Sequence, residues 1–211
     1  MPRHSWTLRS GRPRIFHGWW VVATSLLLGI FQGGVLFYGF TLIITPLREE
    51  TGWSATQVTA VFPIFGVIAA AIAPALGFGF DRIGPRPLLT MGLLLMGAGL
   101  VLMGQAKSLP MFYVAFIVAN VGSTSIWMAT APAVANWFVR MRGRALGIYT
   151  LGFGLAGIMA PPLFQLIENV GWRDALLIVG LIAWALLPVS VWVIRRRPED
   201  VGQWPDGADG P

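Results

Sequence analysis

The chain has 211 residues, of which 55% are apolar and only 11% are charged, against about 25% charged residues in a typical soluble domain. This composition excludes an ordinary soluble domain and indicates an integral membrane protein. The net charge of +6 could suggest a nucleic-acid partner, but the basic residues follow a membrane pattern, so none is expected. The chain has no cysteine, and we interpret His4 and His17 as solvated tail residues. These observations predict no metal site, no cofactor and no enzymatic activity.

Six long runs without a charged residue follow one another along the chain, each with at least 20 residues. A 20-residue helix covers the hydrocarbon core of a bilayer, about 30 Å, so the runs predict six transmembrane helices in an all-α bundle. We expect a polar N-terminal tail at 1–17, the bundle at 18–194, and a tail or the start of a linker at 195–211. The charge-free runs are 18–47, 54–80, 87–106, 108–139, 145–167 and 175–194.

The basic residues predict the orientation of the bundle in the bilayer. Twelve of the 15 lysines and arginines lie in the two tails and in the second-to-third and fourth-to-fifth loops. The other three lie one in each opposite loop. Cytoplasmic segments carry the excess of Lys and Arg, so both termini are expected in the cytoplasm.

The first helix carries polar residues that could face a solute. Tyr38, Thr41 and Thr45 share one helical face, and Gln32 points elsewhere. Each of these side chains either contacts a solute or forms a packing hydrogen bond to another helix, and the sequence leaves both possibilities open.

Two local patterns concern packing and helix ends. Gly29 and Gly33 lie one turn apart in the first helix, a spacing that permits close approach of another helix. Ser54, followed three residues later by Gln57, predicts a capping box that opens the second helix.

A short charged turn, 77–87, separates the second and third apolar runs. Its glycines predict the end of one helix at Gly77 and a tight turn at Gly84, and Pro87 suits the first turn of the next helix. We expect Asp81 to accept hydrogen bonds from free backbone amides and to meet a neighbouring guanidinium.

The same turn resembles the loop between the second and third helices of the major facilitator superfamily, G-x-x-x-D-R-x-G-R-R. Pro85 replaces the first of the two closing basic residues. The resemblance implies a gating motif and a fold in which each half is two inverted three-helix repeats. It also implies that the residue matching Asp81 engages the second half of the transporter. The matching residues are Gly77, Asp81, Arg82, Gly84 and Arg86.

The fourth helix is the most polar span. Asn120, Ser123, Thr124 and Trp127 fall on one stripe at helical spacing. An amide in hydrocarbon must meet water or another helix. We interpret the stripe as facing a cavity, with helix–helix hydrogen bonding as the alternative.

The start of the fifth helix resembles the monocarboxylate-transporter-like branch of the superfamily, including oxalate/formate-antiporter relatives. Arg140 and Arg142 carry its cytoplasmic loop motif, whereas Arg144, Tyr149 and Leu151 depart from the branch. The G-x-G-x-x-G pattern at 152–157 is not a nucleotide site, because it lies inside an apolar span rather than between a strand and a helix. The residues that carry the resemblance are Phe138, Arg140, Arg142, Ala145, Gly147 and Gly152.

The resemblance covers nearly the whole chain but only half of a transporter. It implies the N-terminal half of a secondary transporter that moves a small organic anion, such as a monocarboxylate, by alternating access. The implied partners are the lipid bilayer, the solute, and a C-terminal six-helix half or a second copy; the implied location is the bacterial inner membrane. The alternative is a truncated or assembly membrane protein that transports nothing. The candidate solute-binding residues are Gln32, Tyr38, Asn120, Thr124 and Tyr149.

Overall fold

The chain folds into long helices joined by short connections. The computed structural model describes residues 16–207, and that range contains no strand. A long helical segment covers Arg142–Val193, and it and four other helices are long and apolar enough to cross a membrane. The other four are α1 (His17–Thr51), α2 (Ala55–Ile83), α3 (Pro85–Gly104) and α4 (Leu109–Trp137).

The last segment consists of two helices that meet at Gly171. This residue has φ 82° and ψ 161°, a conformation that interrupts an α-helix and that glycine adopts without the steric cost of a Cβ. The interruption divides the segment into α5 (142–170) and α6 (172–193). The prediction of an all-α bundle of six apolar helices is therefore confirmed.

Helices α1 and α5 each contain one irregular turn, and the two turns meet. A Cβ on Gly34, in the π-helical turn Gly34–Gly39 of α1, would lie 2.5 Å from the Cβ of Met159. Met159 ends the 3-10 turn Leu155–Met159 of α5. Irregular backbone is tolerated at membrane depth where another protein element covers it. The α-helical parts of α1 are His17–Gly33 and Phe40–Thr51.

Glycines bring α3 into backbone contact with helices on both of its sides. A Cβ on Gly122 of α4 would lie 2.3 Å from the backbone nitrogen of Met96 in α3. A Cβ on Gly97 of α3 would lie 2.8 Å from the carbonyl oxygen of Gly180 in α6. These approaches leave no room for a side chain, so α3, α4 and α6 form the most tightly packed part of the bundle.

Two local predictions about the first third of the chain are confirmed. A Cβ on Gly29 would lie 3.5 Å from the Cα of Gly152, so α1 and α5 approach closely at this glycine. At the start of α2, the Gln57 amide donates to Ser54 Oγ over 3.2 Å, and the Ser54 amide donates to Gln57 Oε1 over 2.9 Å. These two hydrogen bonds form the predicted capping box.

The prediction that Gly77 ends the second helix is wrong. Helix α2 continues through Gly77 to Ile83, so Asp81 and Arg82 lie on its last turn rather than in a loop. A glycine ends a helix only when the chain changes direction there, and the direction changes at Gly84, which has φ 84°. Helix α3 begins immediately afterwards at Pro85.

The interpretation of His17 as a solvated tail residue is also wrong, whereas His4 lies outside the described residues. His17 opens α1, and its Nε2 lies 2.8 Å from the carbonyl oxygen of Val193 at the end of α6. Its ring packs 5.2 Å from that of Trp137. The apolar surface of Trp137 and the free carbonyl at the end of α6 therefore hold a side chain that its sequence neighbours suggested would be in water.

Candidate solute-binding cavity

The polar stripe of α4 lines a cavity between α1, α2, α4 and α5. The cavity has a volume of about 290 Å³ and adjoins a second one of about 380 Å³. The two share lining residues from all four helices, and Tyr38 lines the second. Helix α4 was correctly interpreted as facing a cavity. The shared lining residues are Gln32, Phe65, Asn120, Ser123 and Phe153, and the first cavity also has Thr124 and Trp127 in its wall.

Gln32 is the most informative side chain in the cavity wall. It is only 2% exposed, and its Oε1 accepts a hydrogen bond from Ser123 Oγ at 2.7 Å. Its Nε2 is buried and has no hydrogen-bond partner within residues 16–207. A buried amide donor without a partner costs free energy, so the position favours a ligand that offers a hydrogen-bond acceptor.

Gln32 and Tyr38 reach the same cavity although ideal α-helical geometry places them on different faces. The π-helical turn Gly34–Gly39 includes Tyr38 and begins two residues after Gln32. A π-helical turn holds more residues than an α-helical one, so it changes the angular offset between the two side chains. The sequence-based statement that Gln32 points away from Tyr38 is therefore wrong.

The polar side chains of α4 bond mainly to their own helix. Asn120 Nδ2 donates to the carbonyl oxygen of Phe116 over 3.0 Å, and Thr124 Oγ1 donates to that of Asn120 over 2.9 Å. Ser123 alone in the stripe bonds across to α1, through Gln32. Helix–helix hydrogen bonding thus describes Ser123, while Asn120 and Thr124 line the cavity and bond to carbonyls of their own helix.

Tyr149 does not line either cavity, although it was a candidate binding residue. It is 1% exposed, its hydroxyl lies 3.0 Å from Thr130 Oγ1, and its ring packs 5.1 Å from that of Trp127. Trp127 in turn meets Phe153 with ring centroids 4.7 Å apart. Tyr149 therefore lies behind Trp127 because it faces α4 rather than the space between the helices.

Some cavity residues left a signal in the sequence and others left none. Ser123 and Trp127 were visible as members of the α4 stripe. Phe65 and Phe153 could not be found, because an aromatic residue in a membrane helix faces lipid, core or cavity with the same apolar neighbours in sequence. Within residues 16–207, no acidic or basic side chain lines either cavity, and there is no cluster of three metal-binding side chains.

The turn between α2 and α3 is held by backbone carbonyls rather than by its carboxylate. Arg196 Nη2 donates to the carbonyl oxygen of Asp81 over 2.8 Å, and Arg86 Nε donates to that of Ile194 over 3.1 Å. The guanidinium of Arg82 lies 5.7 Å from the ring centroid of Phe78. Among the described residues the Asp81 carboxylate forms no hydrogen bond or ion pair, so the expected contacts to amides and a guanidinium are absent there.

The loop between α4 and α5 binds a carboxylate from the C-terminal segment. The amides of Val139, Arg140 and Met141 donate to the two oxygens of Asp206. Partial desolvation acts to raise the pKa of Asp206, but these three hydrogen bonds and the Arg140 charge outweigh it and lower the pKa below 3.8. The side chains of Arg140 and Arg142 themselves are exposed.

Comparison with known proteins agrees with this architecture. The profile of the Major Facilitator Superfamily matches residues 24–209. The oxalate:formate antiporter of Oxalobacter formigenes is 30% identical over 178 residues, which are 84% of this chain and 42% of the relative. Monocarboxylate transporter 13 of Rattus norvegicus is 28% identical over 174 residues, 79% of this chain and 39% of the relative. A probable sulfoacetate transporter of Cupriavidus necator is 31% identical over 145 residues, which are 67% of this chain and 34% of the relative. The chain thus spans about two fifths or less of the length of these relatives.

Proposed function

The chain belongs to the Major Facilitator Superfamily, and from this premise we propose that it is the N-terminal half of a secondary transporter for a small organic anion. The half would work by alternating access, in which two six-helix bundles rock around a site near the middle of the membrane. The bundle domain is 18–194, with 1–17 and 195–211 as tails on the cytoplasmic side of a bacterial inner membrane. The positions of the arginines support this orientation.

The observation that carries the proposal is the unpaired donor of Gln32 at the cavity wall. Its Nε2 is buried without a partner in the described chain, while Ser123 holds its oxygen. The oxygens of a carboxylate are strong hydrogen-bond acceptors, so a small organic acid would satisfy this donor. Relatives named for oxalate and formate, monocarboxylate, or sulfoacetate support the same class of solute.

The proposed second half would cover α2 and the cytoplasmic part of α5. Helix α2 exposes large apolar side chains, Phe62, Val67 and Phe78 among them. A Cβ on Gly66 or Gly77 would meet nothing within 4 Å. Small residues on an exposed membrane helix let another helix approach closely, which supports a protein partner at this face. A second copy of the chain is the other possible partner.

We propose that Asp81 forms a gating contact with the second half, and its position supports this proposal. Its side chain is exposed on the last turn of α2, and its backbone oxygen is already fixed by Arg196. A fixed backbone with an available carboxylate can bind a donor on a partner bundle without first being rearranged. We expect Asp81→Asn to leave membrane insertion intact and to lower transport by the reassembled carrier. Unchanged flux at equal expression would count against gating.

The test is counterflow of radiolabelled formate, oxalate, lactate and pyruvate into liposomes. The chain would be measured alone and with the C-terminal half of a related transporter. We expect flux only with the added half. Flux from the chain alone would indicate a self-assembled pathway, and absence of flux in both, from folded protein, would favour a non-transporting membrane protein.

Variants of the reassembled carrier test whether the cavity binds the solute. Gln32→Leu removes the unpaired donor and Asn120→Leu removes a second polar group, and each should weaken solute affinity by about tenfold. Gln105→Leu, an exposed position after α3, is the matched control and should leave affinity unchanged. If affinity survives both cavity substitutions, the polar stripe serves packing rather than solute binding.

A further inference from the structure

The segment after α6 folds back along the cytoplasmic end of the bundle. We name residues 195–207 the C-terminal strap. It contains two short 3-10 turns, Pro198–Val201 and Pro205–Gly207. The sequence of the strap is rich in proline, glycine and acidic residues, and it predicted a tail or the start of a linker. The structure gives the strap contacts at both of its ends.

The far end of the strap is fixed by one carboxylate. Asp206 Oδ2 accepts from the amides of Val139 and Arg140 at 3.0 and 2.7 Å, and Oδ1 accepts from that of Met141 at 3.2 Å. These amides immediately precede the first turn of α5, where the helix dipole favours negative charge. Asp206 has φ 59°, a conformation in which aspartate is enriched among non-glycine residues.

The strap also forms hydrogen bonds to helices of both three-helix groups of the bundle, α1–α3 and α4–α6. Trp137 Nε1 at the end of α4 donates to the carbonyl oxygen of Arg195 over 3.1 Å. Arg196 reaches the last turn of α2 through the carbonyl oxygen of Asp81. Farther along, Gln203 Oε1 accepts from the backbone amide of His17, the first residue of α1, at 3.0 Å. The strap therefore bridges the group α1–α3 and the group α4–α6.

We propose that the C-terminal strap docks on the cytoplasmic ends of both three-helix groups and that Asp206 is the anchor of this docking. Among the described residues, Arg195, Arg196 and Gln203 each form one hydrogen bond to the bundle, whereas the Asp206 carboxylate accepts three, each assisted by its charge. Loss of this anchor releases residues 198–207 and with them the contact from Gln203 to the start of α1. The described surface around 138–141 is thus an intramolecular docking site for an acidic segment, separate from the solute cavity.

Asp200 provides a matched control within the same strap. Its Oδ2 accepts from the backbone amide of Arg197 at 3.2 Å, which closes a turn inside the strap; within residues 16–207 its carboxylate forms no hydrogen bond to a membrane helix. Asp200→Asn and Asp206→Asn make the same change in charge and shape, and both positions follow the end of α6 in sequence. Only the second removes a contact between the strap and the bundle.

The experiment is amide hydrogen exchange of the full chain in nanodiscs. We expect Asp206→Asn and Asp206→Ala to speed exchange of the amides of 139–141 by roughly fivefold or more, with a smaller increase at His17. Asp200→Asn should leave 139–141 within about twofold of the original chain. Unchanged protection in Asp206→Ala, or an equal loss in Asp200→Asn, would overturn the proposal.

A distance measurement between spin labels checks the same docking without relying on exchange. The chain has no cysteine, so labels can be placed at V201C in the strap and T150C on α5, both exposed positions. A narrow distance distribution that broadens with Asp206→Asn supports the anchor, and a distribution that stays narrow contradicts it. Loss of helical circular dichroism in Asp206→Asn would also contradict it, because a surface anchor should not unfold the bundle.

Discussion

Glycines in two regions of this bundle have opposite surroundings. In the region formed by α3, α4 and α6, they lie against backbone: a Cβ on Gly99 would meet the backbone nitrogen of Ala119 at 2.3 Å. On α2, and at three glycines on the exposed face of α5, they face open space, with nothing within 4 Å of an added Cβ. The open glycines are Gly66, Gly77, Gly79, Gly143, Gly147 and Gly154.

The difference shows that a small residue in a membrane helix has no fixed structural role. In the first region, it permits a contact that the chain itself completes, and an added side chain would meet backbone atoms of the neighbouring helix. In the second, it leaves a surface that only another protein or lipid can cover. Substitutions at the two kinds of glycine should therefore affect different properties, namely stability of the bundle and association with a partner.

The largest expected effect is on stability. Gly122→Ala places a Cβ 2.3 Å from the backbone nitrogen of Met96. Because backbone cannot move aside as a flexible side chain can, we expect the free energy of unfolding to fall by about 3 kcal/mol. Gly66→Ala is the matched control and should be neutral or stabilising by up to about 1 kcal/mol. The measurement is the free energy of unfolding in mixed micelles. Equal losses at both positions would remove the distinction between the regions.

A smaller loss of stability should follow when the packed region loses the hydrogen bonds of Arg173, which we call the Arg173 clamp. Arg173, at the start of α6, donates to Glu50 at 2.8 Å and to the carbonyl oxygens of Gly104 and Ala106 at 2.8 and 3.0 Å. Arg173→Lys keeps the charge but loses the planar fork, so we expect about 1 kcal/mol less stability.

Arg48→Lys is the control for the clamp, because Arg48 has one weak hydrogen bond of 3.4 Å to Trp53. Thermal unfolding of both variants in the same detergent provides the comparison. If Arg48→Lys lowers stability as much as Arg173→Lys, the clamp has no special role in joining α1, α3 and α6.

At the open region, association should change rather than stability. Gly147→Leu fills a position where a Cβ meets nothing within 4 Å, so the isolated bundle should unfold within about 0.5 kcal/mol of the original. Association with a C-terminal half should fall about tenfold. Ala185→Leu, at an exposed small residue of α6, serves as the control. Co-purification that is equally strong for both variants would argue that lipid alone covers the α5 face.

The smallest effect concerns the pH dependence of the strap. The pKa of Asp206 is lowered in the folded chain, so its contact contributes fully above the ordinary pKa of 3.8 and is lost as pH falls through the lowered value. Arg140 is the charged group that favours the ionised form. Titration of the Asp206 carboxyl carbon by NMR should give a pKa below 3.8. A value at or above 3.8 would contradict the docked carboxylate.

The number and type of helices could be predicted because hydrocarbon forces every backbone amide to bond within its own helix. Charge-free runs of sufficient length therefore became helices. The turn at Gly84 was predictable, whereas the helix end predicted at Gly77 was wrong, because a glycine is equally compatible with a helix that continues. The stripe of Asn120 and Thr124 was predictable, since polar side chains on one membrane helix face rarely face lipid.

The strap and the back of the cavity could not be predicted. Tyr149 lies behind Trp127 rather than at the cavity wall. No sequence pattern on α5 distinguishes a side chain behind Trp127 from one at the cavity wall. The contacts of Asp206 depend on three amides more than sixty residues earlier in the chain, which polar tail composition does not encode.

The sequence by itself determined six apolar helices, their tight turns and the family to which the chain belongs. Only the tertiary structure decided that Gln32 meets Ser123, that a π-helical turn brings Tyr38 to the same cavity, and that the strap returns to α5. The physical reason is that lipid and protein interior are both apolar. A membrane helix therefore carries little sequence signal for which of its faces packs, and its partners follow from shape and from the few polar groups that must be satisfied.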